Sequence, residues 1–416
     1  MFLRHVLLFS LSGAAVVSVA AQDLGVPLSW RKFSNSRGLS ERIQIAQAAI
    51  NQMTTVLDAS TGEFAGIGYW QSGNVWSVMA NQDYLAKSTV NKALVLNNLN
   101  LVFNRFSNYD QFGCGEWLSD VSRANAVLMG VVGHGGDLRT PGVRGALSVF
   151  KFSRGWDLKV IQDATMLSHA VTVWNHVRQF VVQGGGTQPN KNFPIQSACN
   201  GVTMAGAVFW RPTIDDSGIN SITTGLSAFL AEATGNSMYT NAAVQSATWI
   251  KTQMINSNQL VLDGMSARDC SRSPNWIFTY NTGKYIEGLS VLGAVTKDST
   301  WTNLMINLLN SAVKTNAWQG SNGVITEGAN PSSDNDNAGF KSVLIRGLAE
   351  AWLRNPGNAP LTTLIHSYGD VQYNALLDLA ATGNTYSSSW AGPPQGFTAW
   401  GQMAALDVLT SNVLTN

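Results

Sequence analysis

Two stretches of this sequence repeat one another. Gly225-Leu226-Ser227 runs through an apolar stretch into Thr234-Gly235-Asn236 and then Tyr239-Thr240-Asn241. Gly288-Leu289-Ser290 runs the same way into Thr296-Lys297-Asp298 and Trp301-Thr302-Asn303. A one-residue gap aligns them, so the unit is a helix, a tight polar turn and a second helix, recurring about every sixty residues. A helical hairpin cannot bury its apolar face alone, and its neighbours must cover it. Hairpins of this size filling the chain and closing on themselves give an all-α (α/α)6 barrel of about twelve helices, with an open solenoid as the structural alternative. Long loop-like stretches such as residues 183–199 favour a closed barrel with a decorated mouth.

Helical spacing of apolar residues recurs along the rest of the chain. Ile43, Ala46, Ala49, Ile50 and Met53 line one helix face, and Val90, Ala93, Leu94 and Leu101 are assigned to the next helix. Ala124, Leu128 and Val131 mark another, and Met166, Ala170, Val173 and Trp174 one more. Strand-like alternation is rare. No Pro/Ser linker or compositional shift divides the chain, so residues 22–416 are expected to form a single domain.

The first residues read as a targeting signal. Arg4 and His5 precede an apolar run from Val6 to Val19, and Val19-Ala20-Ala21 supplies small residues for cleavage after Ala21. That run is short for a membrane span, no later stretch is long enough, and the C-terminus lacks the tail of a lipid-anchor signal. The expectation is a secreted chain, free in the extracellular space or cell wall, without a membrane partner. A net charge of +1 with 12% charged residues argues against nucleic acid. Low charge with fourteen Trp suits a neutral, hydroxyl-rich ligand, since Trp offers a flat apolar face and one donor. Core packing is the competing role for each Trp. The three Cys are Cys114, Cys199 and Cys270, and in a secreted protein one disulfide and one leftover thiol is the simplest count. Cys199 and Cys270 lie in Asn/Ser/Arg-rich loop stretches and are expected to pair. No CxxC or His-x-x-x-His spacing appears, so no metal and no cofactor are expected, and there is no N-glycosylation sequon.

Several motifs, in order from about Ser40 to Asn412, resemble glycoside hydrolase family 76, the endo-α-1,6-mannanases. Gly68-Tyr69-Trp70-Gln71-Ser72-Gly73-Asn74-Val75-Trp76 resembles the family's Trp-rich start of the second helix. Val208-Phe209-Trp210 followed by Asn220-Ser221-Ile222-Thr223 resembles its entry to the seventh. Leu262-Asp263-Gly264 before Trp276-Ile277-Phe278-Thr279-Tyr280-Asn281-Thr282-Gly283 is similar to the family's W-T-Y-N-Q-G segment. Gly323-Val324-Ile325-Thr326-Glu327, then Gly339-Phe340-Lys341 with Arg346, resemble G-I-L-T-E and Q-F-K-G-I-F-x-R. The resemblance implies a helical barrel acting, as a monomer, on mannan or a related polysaccharide.

The resemblance also implies a retaining reaction on two adjacent Asp near the start of the fifth helix, one attacking the anomeric carbon and one serving as acid and then base. Such a mechanism needs carboxyl groups about 5–5.5 Å apart. The matching stretch here reads Gln162-Asp163. Asp163 matches the acid/base, and Gln162 stands where the nucleophile is expected. A Gln amide is neutral and a poor nucleophile. Two functions follow: a hydrolase or transglycosylase of α-1,6-linked mannan, or a catalytically impaired relative that binds mannan or cell-wall glycan. Asp263 lies in the Leu-Asp-Gly segment, between sugar binding and loop capping. Trp70, Trp210, Trp276, Tyr280 and Asn281 are the sugar-binding candidates carried by the same motifs. Asp215-Asp216 is the literal carboxylate pair, with loop capping as its bland reading, and Glu116 and Asp120 are further mouth candidates, with surface solvation as theirs.

Overall fold

The computed structural model describes residues 23–106, 164–220, 224–330 and 337–414. Among these are eleven α-helices: α1 (Leu39–Thr54), α2 (Tyr69–Ala86), α3 (Lys92–Arg105), α4 (Ala164–Arg178), α5 (Thr224–Thr234), α6 (Ser237–Gln253), α7 (Thr279–Thr296), α8 (Ser299–Lys314), α9 (Asn337–Arg354), α10 (Ala359–Ala375) and α11 (Ala399–Ser411). A π-helical turn, Leu376–Ala380, extends α10. Strands are two or three residues long, beginning with the pairs β1 (Leu57–Asp58) with β2 (Glu63–Phe64) and β3 (Ala198–Cys199) with β4 (Val202–Thr203), and the largest sheet among the described residues has three strands.

The helices sort into two kinds by burial. In α2, α5, α7, α9 and α11 nearly every residue of the first turns is buried, whichever way it faces. These inner helices pack in succession: α5 on α7, α7 on α9, α9 on α11, and α11 on α2. The others bury a stripe and cover the inner ones from outside. In α8 the stripe is Trp301, Leu304, Met305, Leu308, Leu309, Ala312 and Val313, the spacing of one helix face. Alternation of inner and outer helices around a shared core is the architecture of an (α/α)6 barrel.

The sequence repeat is a repeat of turn chemistry. After α5, Gly235 takes a left-handed φ of 66°, and after α7 Lys297 takes 58°. A left-handed residue ends a helix sharply and turns the chain back. The next residue then caps the outer helix: Asn236 Oδ1 accepts from Met238 N at 2.9 Å, and Asp298 Oδ1 from Thr300 N at 2.8 Å. The faces of α1 and α4 follow the expected spacing, except that Arg42 is buried while Ile43 is only half-buried. In α3 the expected face is wrong. Val90 lies outside the helix and is exposed, and the buried positions are Val95, Asn98, Leu99 and Val102. The residues 124–131 lie outside those described.

Inner helices approach closely because small residues face each other. A Cβ on Gly347 of α9 would sit 2.2 Å from the Gly283 carbonyl oxygen of α7, and one on Gly283 would sit 2.5 Å from Leu344 Cα. Backbone cannot yield as a side-chain tip can. Gly347→Ala is therefore expected to cost about 1–3 kcal/mol of stability by overpacking, read as a lower urea midpoint with an unchanged slope. A wild-type midpoint would show that α7 and α9 separate freely.

Candidate functional site

A small sheet positions the site. β5 (Val208–Phe209), β6 (Gly218–Asn220) and β7 (Gly264–Ser266) run antiparallel, with Asn220 opposite Gly264 and Ile219 opposite Met265. A Cβ on Gly264 would lie 2.7 Å from the Ile219 carbonyl oxygen, so only glycine lets the strands close here. Asp263, one residue earlier, is thereby brought beside Asn220, and its backbone N–H donates to the Trp276 carbonyl at 3.0 Å.

The first turn of α7 supplies the other partners of Asp263. The Tyr280 hydroxyl donates to Asp263 Oδ1 in a short hydrogen bond. Asn220 Nδ2 reaches the same oxygen at 3.3 Å and Tyr280 Oη at 3.1 Å, and Asn281 Nδ2 reaches it at 3.3 Å. Burial, with the facing Asp263 charge, pushes the Tyr280 phenol well above its ordinary value, so it remains a donor. Thr282 Oγ1, one residue beyond Asn281, accepts from Val261 N at 3.0 Å and pins the segment leading to Asp263.

Above this cluster opens a cleft of about 650 Å³ lined by Trp210, Trp276, Asn220, Asp263, Tyr280, Phe278 and Phe340, among others. Trp276 is 56% exposed. Trp210 is half-buried and packs on the cluster of Trp70, Tyr280, Phe340 and Val343. Trp70 lies beneath, its ring centroid 6.0 Å from that of Phe340, and Asn281 is fully buried under Asp263. Thus Asp263, Trp210, Trp276 and Tyr280 share one cleft, with Trp70 and Asn281 as its floor. Gln162, Asp163, Glu116, Asp120 and Cys114 lie outside the described residues. The helix after Asp163, α4, buries one stripe in the manner of the outer helices. Asp215 is exposed, and Asp216 accepts from Arg211 N at 3.0 Å and Gly218 N at 3.2 Å, so it shapes the β5–β6 loop. Cys199 and Cys270 form a disulfide, S–S 2.03 Å, that ties the β3–β4 hairpin (Ala198–Cys199 and Val202–Thr203) to the loop carrying Trp276. A second cavity, of about 550 Å³, lies between α4 and α6, and none of the described residues lining it is a carboxylate.

Sequence reasoning did not assign Asn220, Phe278, Phe340 or Glu327. All four stand inside the motifs that carry the resemblance, which was the available signal. The Glu327 carboxylate accepts from Thr279 N at 3.0 Å and from the Thr279 hydroxyl, at the start of α7. Lys341 of α9 is wholly buried, and its Nζ donates to the backbone carbonyls of Glu327 at 2.8 Å and Ser388 at 2.6 Å.

The sequence model of glycosyl hydrolase family 76 matches residues 195–416, more than half of the chain. No curated protein matches the sequence at a significant level. Among solved structures, an inactive variant of the α-1,6-mannanase of Salegentibacter sp. HEL1_6, in complex with α-1,6-mannotriose, is 17% identical. It covers 90% of this chain and 100% of its own, with a TM-score of 0.68. A family 76 mannosidase from Bacteroides thetaiotaomicron is 13% identical over 90% of this chain and 98% of its own, TM-score 0.61. The Dfg5 protein from Chaetomium thermophilum, in complex with glucosamine, is 14% identical over 92% of both chains, TM-score 0.62. At these identities the likeness establishes the fold, and the barrel is common to all three.

Two buried groups set a pH dependence. Burial pushes the Glu327 carboxyl up to about 7, against the pull of the Thr279 hydrogen bonds and of Lys341. Burial pushes the Lys341 amine down to about 7, against the attraction of Glu327. A carboxyl raised on folding contributes stability below its unfolded value that is lost as pH rises through the folded value. For Glu327 the window runs from 4.5 to about 7. The Lys341 penalty is constant below about 7 and relieved only toward 10.5, so it does not alter that slope. The wild type should lose stability relative to Glu327→Gln between pH 4.5 and 7, measured by urea unfolding at several pH values. A difference that stays constant across the window would show that this carboxyl titrates as in water.

Proposed function

The chain belongs to glycosyl hydrolase family 76, and from that premise we propose that it is a secreted glycoside hydrolase acting on α-1,6-linked mannan. The observation that carries the reading is the cleft above Asp263. A carboxylate held by Tyr280, Asn220 and Asn281 on one oxygen has its second oxygen outside those hydrogen bonds, and it lines the same cleft as Trp210 and the exposed Trp276. Pyranose rings present apolar faces that suit indole surfaces, and hydroxyls that suit carboxylates and amides. The cleft falls within the range of about 300–1,000 Å³ typical of ligand sites. A mannanase whose inactive variants bind α-1,6-mannotriose and mannotetrose shares the fold, which supports a linear α-1,6-mannooligosaccharide as the ligand.

The resemblance implies a retaining two-carboxylate course, of which this chain keeps the acid/base, Asp163, and lacks the attacking carboxylate at 162, so direct attack by water has to replace the covalent step. Asp163 protonates the departing oxygen. Asp263, steadied by its three donors, binds the hydroxyls of the sugar whose charge develops in the transition state. Gln162 presents only a dipole where an attacking carboxylate is expected, and this favours the second reading, a relative that binds mannan or cell-wall glycan with little turnover.

Product release from α-1,6-mannotetraose tests both readings. Asp263→Asn should lower kcat/KM about 10- to 100-fold, the worth of a charged hydrogen bond. Asp163→Asn should abolish turnover, and Gln162→Asp should raise it. High wild-type turnover untouched by Asp163→Asn would show that another acid does this work. Binding without turnover in any of these proteins would select the glycan-binding reading.

A further inference from the structure

Three of the four first residues of α7 serve the Asp263 segment: Tyr280 and Asn281 donate to the carboxylate, and Thr282 holds Val261. The orientation of that one helical turn therefore sets the geometry of the cleft floor. A helix start leaves N–H groups without intrahelical partners, and the residue before the helix usually covers one of them. Here that residue is Phe278, which has no side-chain oxygen and makes no capping bond. The service comes from a distant loop: Glu327 takes the Thr279 N–H and the Thr279 hydroxyl together. A carboxyl oxygen at this position also faces the positive end of the helix dipole.

Glu327 is itself held from behind. Lys341 grips its carbonyl and that of Ser388, and the amine lies 5.0 Å from the centroid of the Trp390 ring. The backbone of the loop after Thr326 is thus fastened to α9 while its carboxyl is fastened to α7. Glu327 does not line the cleft, so it does not touch a ligand there.

We propose that Glu327 is a positioning residue: by capping α7 from outside the helix, it fixes the turn that aims Tyr280 and Asn281 at Asp263. The proposal rests on the reading of this cleft as the glycan site. Its chemistry requires an acceptor at Thr279 N rather than a titrating acid. Glutamine keeps that acceptor and alanine removes it, and this separates positioning from acid–base catalysis.

The experiment measures α-1,6-mannotetraose turnover, calorimetric binding of α-1,6-mannotriose, and unfolding by urea. Glu327→Ala is expected to lower kcat/KM about 10- to 100-fold, the scale of a misplacement near 1 Å. Glu327→Gln is expected to stay within about threefold of the wild type, since the acceptor is kept. Asp298→Ala, which removes the cap of outer helix α8 at the end of α7 opposite the turn that carries Tyr280 and Asn281, is the control for stability loss alone and should leave kcat/KM unchanged. A Gln variant as impaired as the Ala variant would overturn the proposal in favour of a chemical role. An Ala variant no more impaired than Asp298→Ala would overturn it in favour of a merely structural one. A double-mutant cycle on unfolding, pairing Glu327→Ala with Tyr280→Phe, needs no turnover. Coupling above about fivefold in the unfolding constant supports the proposal, and additivity overturns it. If the wild type neither binds nor cleaves the oligosaccharides, the reading of the cleft fails while the cycle still decides the positioning.

Discussion

Arg346 of α9 is buried where three inner helices meet, and their mutual arrangement depends on it. Its Nε and Nη2 hold the two carboxylate oxygens of Asp407 at 2.9 and 2.8 Å, and its Nη1 donates to Asn74 Oδ1 at 2.9 Å. One side chain of α9 thereby joins α11 and α2. Both charged partners are buried, so removal of either would strand a charge away from water, whereas the intact pair adds little over apolar packing. The rigid fork of the guanidinium adds direction: it bonds only when three helices hold one mutual rotation. Lys284 and Glu287, 2.8 Å apart on α7, occupy the same interior, and Gly225 of α5 lies against Glu287. A barrel axis filled with paired charge explains why the inner helices are buried all round and yet are not uniformly apolar.

The same axis explains where the cleft can form. Along α7, Tyr280, Lys284 and Glu287 succeed one another at helical spacing, so the aromatic residue nearest the helix start stands over the charged pair. The first turns of α2, α7 and α9 meet through Trp70, Tyr280 and Phe340, with ring centroids 4.4 Å apart for Tyr280 and Phe340. This aromatic layer separates the ionic interior from the cleft. Asp263 then sits on the cleft side of the layer, and the buried phenol that supports it is part of the layer itself.

What the sequence disclosed follows the range of each interaction. The hairpin turns were legible because a left-handed residue and its neighbouring cap, Gly235 with Asn236 and Lys297 with Asp298, are local. The phase of α3 was not, because apolar residues such as Leu94, Leu96, Leu101 and Phe103 surround it and several faces look equally buried. The structure selects the face containing Asn98, whose amide bonds back to the Leu94 carbonyl at 2.8 Å. Asp263, Trp210, Trp276 and Tyr280, which line one cleft, were singled out as candidates through ordered motifs. The fork of Arg346 on Asp407 and the cap of Glu327 on Thr279 join residues 61 and 48 positions apart, and nothing in local pattern announces such a pairing.

Trp276 shows how a loop wall can serve a cleft without folding anew for each ligand. Its indole is exposed, yet the loop beneath it is held from several sides. Ser266 N donates to the Ser271 carbonyl at 2.9 Å, Ala267 N to Ser217 at 2.7 Å, and Gln196 N to Ala267 at 2.9 Å. The Cys199–Cys270 disulfide ties the same loop to the β3–β4 hairpin, and the Arg272 guanidinium donates to the Gln253 carbonyl at the end of α6. Ordering a mobile loop on binding costs about 0.5–1.5 kcal/mol for each immobilised side chain, before any backbone cost. Here the backbone is ordered beforehand by bonds that no ligand contributes. The exposed apolar surface of Trp276 is then a standing cost in the free protein, and covering it is a gain available at once to a partner with a flat apolar face.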